Sequence, residues 1–149
     1  MKKNYISLAT RSANIQINEL KKIKKVFNTS FVKAVDQILN CKGKVIFAGI
    51  GKSGLIARKI SATFSSVGIP SFFCDPAQAL HGDMGQIEKK DILIIFSYSG
   101  NTAELNNMLK YANRYRIRII GIASKPDSIL LKASDIKLIL PKVKEADLT

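Results

Sequence analysis

The sequence of 149 residues has no tryptophan, one histidine and only two cysteines, Cys41 and Cys74. Two cysteines are too few for a disulfide framework or a cysteine-based zinc site, so we expect two reduced thiols. No apolar run approaches the roughly 20 residues that a transmembrane helix needs. The basic start of the chain is not followed by the apolar core of a signal peptide. We therefore expect a cytoplasmic protein with no membrane contact.

Acidic residues are also scarce, since 11 of them face 24 lysines and arginines, which leaves a net charge of +13. Basic residues cluster at positions 21–25 and 114–118. The charge invites a nucleic-acid partner, but no helix-turn-helix, zinc-finger or RNP pattern accompanies it. The first cluster fits the solvated face of an amphipathic helix with Leu20, Ile23 and Phe27 on its other side. We expect an anionic small molecule as the ligand, and no nucleic acid.

Apolar segments alternate with helical patterns after residue 40, and the hydrophobic fraction of 46% indicates a folded domain. Five segments read as strands, at residues 44–48, 71–74, 92–96, 117–122 and 135–140. They are apolar throughout, which is typical of a parallel sheet covered by helices on both faces. Right-handed crossovers favour a flavodoxin-like strand order, 2-1-3-4-5. We predict a three-layer α/β/α fold in a single domain over residues 1–149, with residues 1–40 as a helical extension interrupted near residues 28–30.

In that order the switch point lies between the first and third strands, and the loops at residues 49–54 and 97–104 meet there. Residues 97–104 lead from a strand into a helix, where unpaired backbone N–H groups and the positive end of the helix dipole favour phosphate. Ser97, Ser99 and Thr102 add hydroxyl donors. These features predict a phosphate-binding loop.

The loop at residues 49–54, Gly-Ile-Gly-Lys-Ser-Gly, would form the other half of the pocket. Gly51 lets the backbone approach a ligand, and Lys52 supplies a cation near a developing oxyanion. The same loop satisfies G-x-G-x-x-G, and Asp75 ends the second predicted strand, as in a dinucleotide-binding fingerprint. We favour the sugar-phosphate interpretation, because no second domain is present to hold a hydride donor or acceptor.

Three titratable residues have alternative interpretations. Glu104 is a candidate base, but Asn101 and Glu104 also form a capping-box pattern, so it is a base, a helix cap or both. His81 is the only side chain with an unperturbed pKa near neutrality, and it is either functional or structural. Glu145 reads as part of an ordinary charged tail.

Four segments, at residues 51–54, 79–85, 97–104 and 142–146, together resemble the sugar isomerase (SIS) domain of D-arabinose-5-phosphate isomerases. The resemblance implies interconversion of D-ribulose 5-phosphate and D-arabinose 5-phosphate through an enediol, which leads to the lipopolysaccharide sugar Kdo. It also implies a homo-oligomer, usually a tetramer. The chemistry needs a carboxylate base and a donor or cation at the carbonyl oxygen, and no redox cofactor.

The resemblance also implies roles for individual residues. The phosphate would be held by four hydroxyl side chains, Ser53, Ser97, Ser99 and Thr102. The positions matching catalytic residues of the family are Lys52, Glu104 and Glu145. His81 would lie near the sugar, where it could also belong to a metal-inhibited site.

The sequence departs from the family pattern in two places. Relatives usually continue past the position of Thr149 to a His-Pro-Gly-Gly segment and then to paired CBS modules, and residues 75–78 stand where relatives commonly have His-Pro-Gly-Glu. We expect residues 1–149 alone to bind pentose phosphates and to isomerise them weakly or not at all. The alternative is a non-catalytic sugar-phosphate-binding or regulatory module, in which Lys52, Glu104 and Glu145 are dispensable for binding.

Overall fold

A computed structural model describes residues 4–146 of the chain. The five helices are α1 (Tyr5–Lys21), α2 (Thr29–Leu39), α3 (Lys52–Ser66), α4 (Leu105–Arg114) and α5 (Ile129–Ala133). The five strands are β1 (Val45–Gly49), β2 (Ser71–Phe73), β3 (Ile92–Phe96), β4 (Arg118–Ala123) and β5 (Ile136–Ile139). Short 3-10 turns occupy Lys22–Val26, Ala79–His81 and Asp83–Gln86. The ends of the predicted domain, residues 1–3 and 147–149, lie outside the described residues.

The strands form one parallel sheet in the order β2-β1-β3-β4-β5, which confirms the predicted architecture. β1 and β3 are neighbours whose register pairs Val45 with Ile92 and Gly49 with Phe96. Their carboxyl ends therefore lie side by side. The loops that follow these two strands start at adjacent points of the sheet edge, as the switch-point argument predicts.

The side chains of β3 divide between two cores because successive residues of a strand point to opposite faces. Leu93 and Ile95 pack in the core beneath α4 and α5, and Ile92 and Ile94 pack in the core beneath α2 and α3. The sheet is thus covered on both faces, and β1 and β3 are apolar throughout for that reason.

The N-terminal helical segment is confirmed, including its break, where the Asn28 side chain accepts the Ser30 N–H at 2.9 Å and caps α2. The apolar face predicted for this segment is largely exposed. Leu20 and Phe27 are 68% and 59% exposed, and α1 has no buried residue. Within residues 4–146, no helix is long and apolar enough to cross a membrane.

Asp91 fixes the entry to β3 from a fully buried position, with 1% exposure. Its carboxylate accepts the backbone N–H of Lys44 at 2.7 Å and that of Glu88 at 2.8 Å. We expect Asp91→Ala to lower the free energy of unfolding by about 3 kcal/mol, because both N–H groups lose their acceptor in a buried place. Asp91→Asn keeps one acceptor oxygen and should cost less. Urea unfolding followed by circular dichroism measures both, and equal stability of Asp91→Ala and wild type would contradict the prediction.

Candidate functional site

The two loops after β1 and β3 meet at the carboxyl edge of the sheet, as expected. A cavity of about 180 Å³ lies between them. Ser53, from the first loop, and Ser97, from the second, both line it, together with Phe96 and Ile122. The structure therefore brings together two of the predicted phosphate-binding residues that are 44 positions apart in the sequence.

The loop at residues 97–104, called the serine loop below, is held in shape by its own hydroxyl groups. The hydroxyls of Ser97 and Thr102 are 2.8 Å apart, and Ser97 Oγ also accepts the N–H of Gly100 at 3.0 Å. Ser99 Oγ accepts the N–H of Asn101 at 3.3 Å. Gly100 adopts φ +68°, a left-handed conformation that glycine takes most easily. The loop is thus a compact turn, with Ser97 only 4% exposed at its base.

Hydrogen bonding begins before the first formal residue of α4. The N–H of Leu105 donates to the Thr102 carbonyl at 3.2 Å, and that of Asn106 donates to the Ala103 carbonyl at 3.0 Å. Among residues 4–146, the N–H groups of Ala103 and Glu104 have no hydrogen-bond acceptor. Unpaired N–H groups at the positive end of a helix form a site that favours an anion.

The capping-box interpretation of Glu104 is wrong. The Asn101 side chain accepts the N–H of Ile129, at the start of α5, at 3.0 Å, and so it caps a different helix. The Glu104 side chain forms no cap hydrogen bond, and within residues 4–146 it forms no ion pair. Glu104 is exposed, at the start of α4 where the unpaired N–H groups lie.

The loop at residues 49–54 presents a second helix N-terminus at the same edge. Gly51 has φ +58° and open space around it, whereas a Cβ on Gly54 would lie 2.6 Å from the Gly49 carbonyl oxygen. Gly51 therefore shapes the turn, and Gly54 lets α3 pack directly on β1. Lys52 and Ser53 are the first two residues of α3, and Lys52 is exposed with no ion pair among the described residues.

Glu145 lies in a neighbouring, larger cleft of about 810 Å³ between α1 and the segment at residues 140–146. Tyr98 and Leu140 line both this cleft and the smaller cavity, so the two spaces adjoin. The structure therefore places Glu145 next to the loop at residues 97–104 rather than among its hydroxyl groups. Glu145 itself is exposed.

His81 lines neither space. It is exposed, in the Ala79–His81 turn that follows β2, at the same edge of the sheet but toward its margin. Within residues 4–146, no group of three histidine, cysteine or carboxylate side chains is placed to hold a metal ion.

Burial, and then the charges of Asp83 and Asp75, raise the pKa of the Cys74 thiol to about 11, so this thiol stays protonated and is a poor nucleophile.

The sequence analysis missed two residues that shape the site. The Tyr98 hydroxyl accepts the N–H of Val143 at 3.4 Å, and the Glu19 carboxylate accepts the N–H of Lys144 at 3.0 Å. Tyr98 belongs to the serine loop, so its place in the sequence indicated a role in the site. Glu19 gave no signal, because it is separated from its partner by 125 residues.

A parallel 2-1-3-4-5 sheet with two helix N-termini at its switch point is the architecture of an α/β domain that binds its ligand at the carboxyl edge of the sheet. The SIS domain model matches residues 38–149, and the chain belongs to this family.

Relatives and solved structures agree with this assignment. The chain is 39% identical over 132 residues to arabinose 5-phosphate isomerase GutQ of Salmonella typhi, covering 89% of this chain and 41% of that protein. It is 39% identical over 127 residues to arabinose 5-phosphate isomerase KdsD of Shigella flexneri, covering 85% and 39%. The chain thus spans less than half the length of these curated relatives. The structure of c3406 of Escherichia coli CFT073 in complex with arabinose 5-phosphate is 36% identical and superposes with a TM-score of 0.86, covering 99% of this chain and 79% of that one.

Proposed function

We propose that the chain binds a pentose 5-phosphate at the carboxyl edge of its sheet and interconverts D-ribulose 5-phosphate and D-arabinose 5-phosphate. The observation that carries the proposal is the exposed Glu104, whose carboxylate makes no capping hydrogen bond, at the start of α4 where N–H groups are unpaired, with the start of α3 at the same edge of the sheet. The complex of the 36% identical E. coli protein with arabinose 5-phosphate supports the same ligand. So do the names of the relatives that are 39% identical.

In this proposal the phosphate is bound by the serine loop and by the first turn of α3. The hydroxyls of Ser53, Ser97, Ser99 and Thr102 and the N–H groups of Ala103 and Glu104 would donate to the phosphate oxygens. Gly51 would let the backbone approach the ligand. The hydrogen bonds that already hold Ser97 and Thr102 in place reduce the entropy lost on binding.

Isomerisation moves a hydroxyl proton between O1 and O2 of the sugar and, through an enediol, one proton between C1 and C2. We assign this transfer to a carboxylate, Glu104 or Glu145, which removes the proton from one carbon and returns it to the other. Lys52 would stabilise the negative charge that develops on the carbonyl oxygen. His81 would lie near the sugar end of the ligand.

We further propose that the product supplies synthesis of the lipopolysaccharide sugar Kdo, and that the chain acts as a cytoplasmic homo-oligomer. The exposed apolar side chains of α1 and of the turn after it support this association, because contact between two copies would remove their apolar surface from water. In residues 1–149 alone the proposed turnover is expected to be weak, so it has to be measured with an assay that detects slow hydrogen exchange.

Calorimetric titration tests the ligand. We expect arabinose 5-phosphate to bind and arabinose without phosphate to give no measurable heat of binding, because the loops recognise the phosphate. NAD should also give none, because its diphosphate is esterified on both sides and offers no terminal phosphate group. Binding of NAD without a response to the sugar phosphate would contradict the proposal and favour a dinucleotide-binding domain. Binding without any exchange of the sugar's C1 or C2 hydrogen with solvent would instead indicate a binding or regulatory module.

A further inference from the structure

The segment that carries Glu145 has no helix or strand of its own. β5 ends at Ile139, and the N–H of Leu140 still donates to the Ala123 carbonyl at 2.8 Å. Residues 141–146 then run along the cleft without a regular hydrogen-bonding partner strand. A segment of this kind needs side-chain contacts to adopt one position, because fixing each backbone residue costs about 1–2 kcal/mol of conformational entropy.

One such contact comes from α1. Glu19 Oε2 accepts the N–H of Lys144, the residue directly before Glu145, at 3.0 Å. The same oxygen lies 2.5 Å from Lys22 Nζ, and the Glu19 side chain is only 18% exposed. The hydrogen bond from Lys22 and then that from Lys144 lower the pKa of Glu19, so the carboxylate is ionised at neutral pH.

A second contact comes from Tyr98, which lines the same cleft. The Tyr98 hydroxyl accepts the N–H of Val143 at 3.4 Å, which is a weaker bond than that of Glu19. The N–H groups of two consecutive residues, Val143 and Lys144, are therefore held by side chains from the serine loop and from α1. Together the two bonds fix the backbone immediately before Glu145.

We propose that Glu19 is a positioning residue, which anchors residues 141–146 through the Lys144 N–H and thereby places Glu145 beside the serine loop. This inference rests on the proposed function, in which Glu145 takes part in proton transfer. It gives α1 a role in the site. The helix has no buried residue, and its Glu19 side chain bonds to the segment carrying a candidate catalytic group.

The competing interpretation is an exposed ion pair between Glu19 and Lys22 with no role beyond the helix, because such pairs contribute little. The two interpretations predict different mutant behaviour. Glu19→Ala removes the anchor and the pair together. Lys22→Ala removes the pair and leaves the carboxylate to accept the Lys144 N–H. Glu19→Gln removes the charge but keeps an acceptor oxygen.

Amide hydrogen exchange in the full chain tests the anchor directly. We expect Glu19→Ala to raise the exchange rate of the Lys144 amide about tenfold or more, because this N–H loses a charge-assisted hydrogen bond. Glu19→Gln should restore part of the protection, and Lys22→Ala should change it less than about twofold. Unchanged exchange at Lys144 in Glu19→Ala would overturn the proposal, whatever happens to turnover.

Incorporation of solvent deuterium into arabinose 5-phosphate tests the positioning role, since it detects slow turnover. We expect Glu19→Ala to lower kcat about tenfold with KM changed less than about twofold, because the phosphate contacts stay intact. Faster amide exchange with an unchanged kcat would overturn the positioning role. A wild-type chain that incorporates no deuterium would contradict the isomerase proposal and the positioning role with it, while the Lys144 amide would still decide whether the anchor exists.

Discussion

Replacing Glu104 with Gln is expected to lower the incorporation of solvent deuterium into arabinose 5-phosphate by about 10²- to 10⁴-fold, the range typical of losing a general base. The amide has nearly the shape of the carboxylate but cannot accept a proton from carbon. Because the Glu104 side chain caps no helix, the substitution should leave the melting temperature unchanged. Binding of the sugar phosphate should also persist, since the N–H groups and hydroxyls of the loop remain.

Two further variants make this result specific. Glu145→Gln tests the other candidate base, and the larger loss of kcat identifies which carboxylate moves the proton. Glu88→Gln is the matched control, because it removes an exposed carboxylate before β3, at the amino edge of the sheet, and should leave deuterium incorporation within about twofold of wild type. Wild-type incorporation by Glu104→Gln would exclude Glu104 as the base.

The fold could be predicted from the sequence because each strand carries its own local signal. Ile92–Phe96 is apolar at every position, a pattern typical of a strand that is buried on both faces. Once five such segments alternate with helices, the handedness of the crossovers leaves few orders, and the switch point follows. The meeting of Ser53 and Ser97 was predictable for the same reason, since it depends on strand order rather than on side-chain detail.

Contacts between distant segments could not be predicted in this way. The spacing of Asn101 and Glu104 matches a local capping pattern, but Asn101 instead caps α5, because the loop packs against the start of that helix. Glu19 and Lys144 lie near opposite ends of the described residues, and no hydrophobic periodicity predicts their contact. The exposure of Leu20 and Phe27 was likewise hidden, because an amphipathic pattern does not say whether the domain supplies a surface to cover it.

The serine loop is shaped from both sides, by its own hydroxyls and by α5. The carbonyl of Gly100 accepts the N–H of Leu130 at 2.9 Å, and the Asn101 side chain accepts that of Ile129. Both bonds fall at the first turn of α5, directly after Ser128, which is itself buried. A rigid loop of this kind keeps its N–H groups oriented before a ligand arrives, which lowers the cost of binding.

Gly100→Ala is therefore expected to destabilise the protein by about 3 kcal/mol or more and to abolish measurable binding of arabinose 5-phosphate. A Cβ at this position would lie 2.2 Å from Ser128 Oγ and 2.4 Å from Ser128 Cβ, and the backbone φ of +68° is unfavourable for alanine. Relieving the overlap requires the loop or the start of α5 to move. At this chain length the melting temperature should fall by roughly 6–12 °C.

Matched variants separate the steric overlap from a general effect of adding a methyl group. Gly85→Ala places its Cβ in open space at an ordinary backbone angle and should change stability by less than about 0.5 kcal/mol. Adding Ser128→Gly to Gly100→Ala removes both clashing atoms, so the double variant should lose less stability than the sum of the two single changes. Additive losses, or a Gly100→Ala protein that melts with the wild type and binds the sugar phosphate, would show that α5 does not constrain the loop.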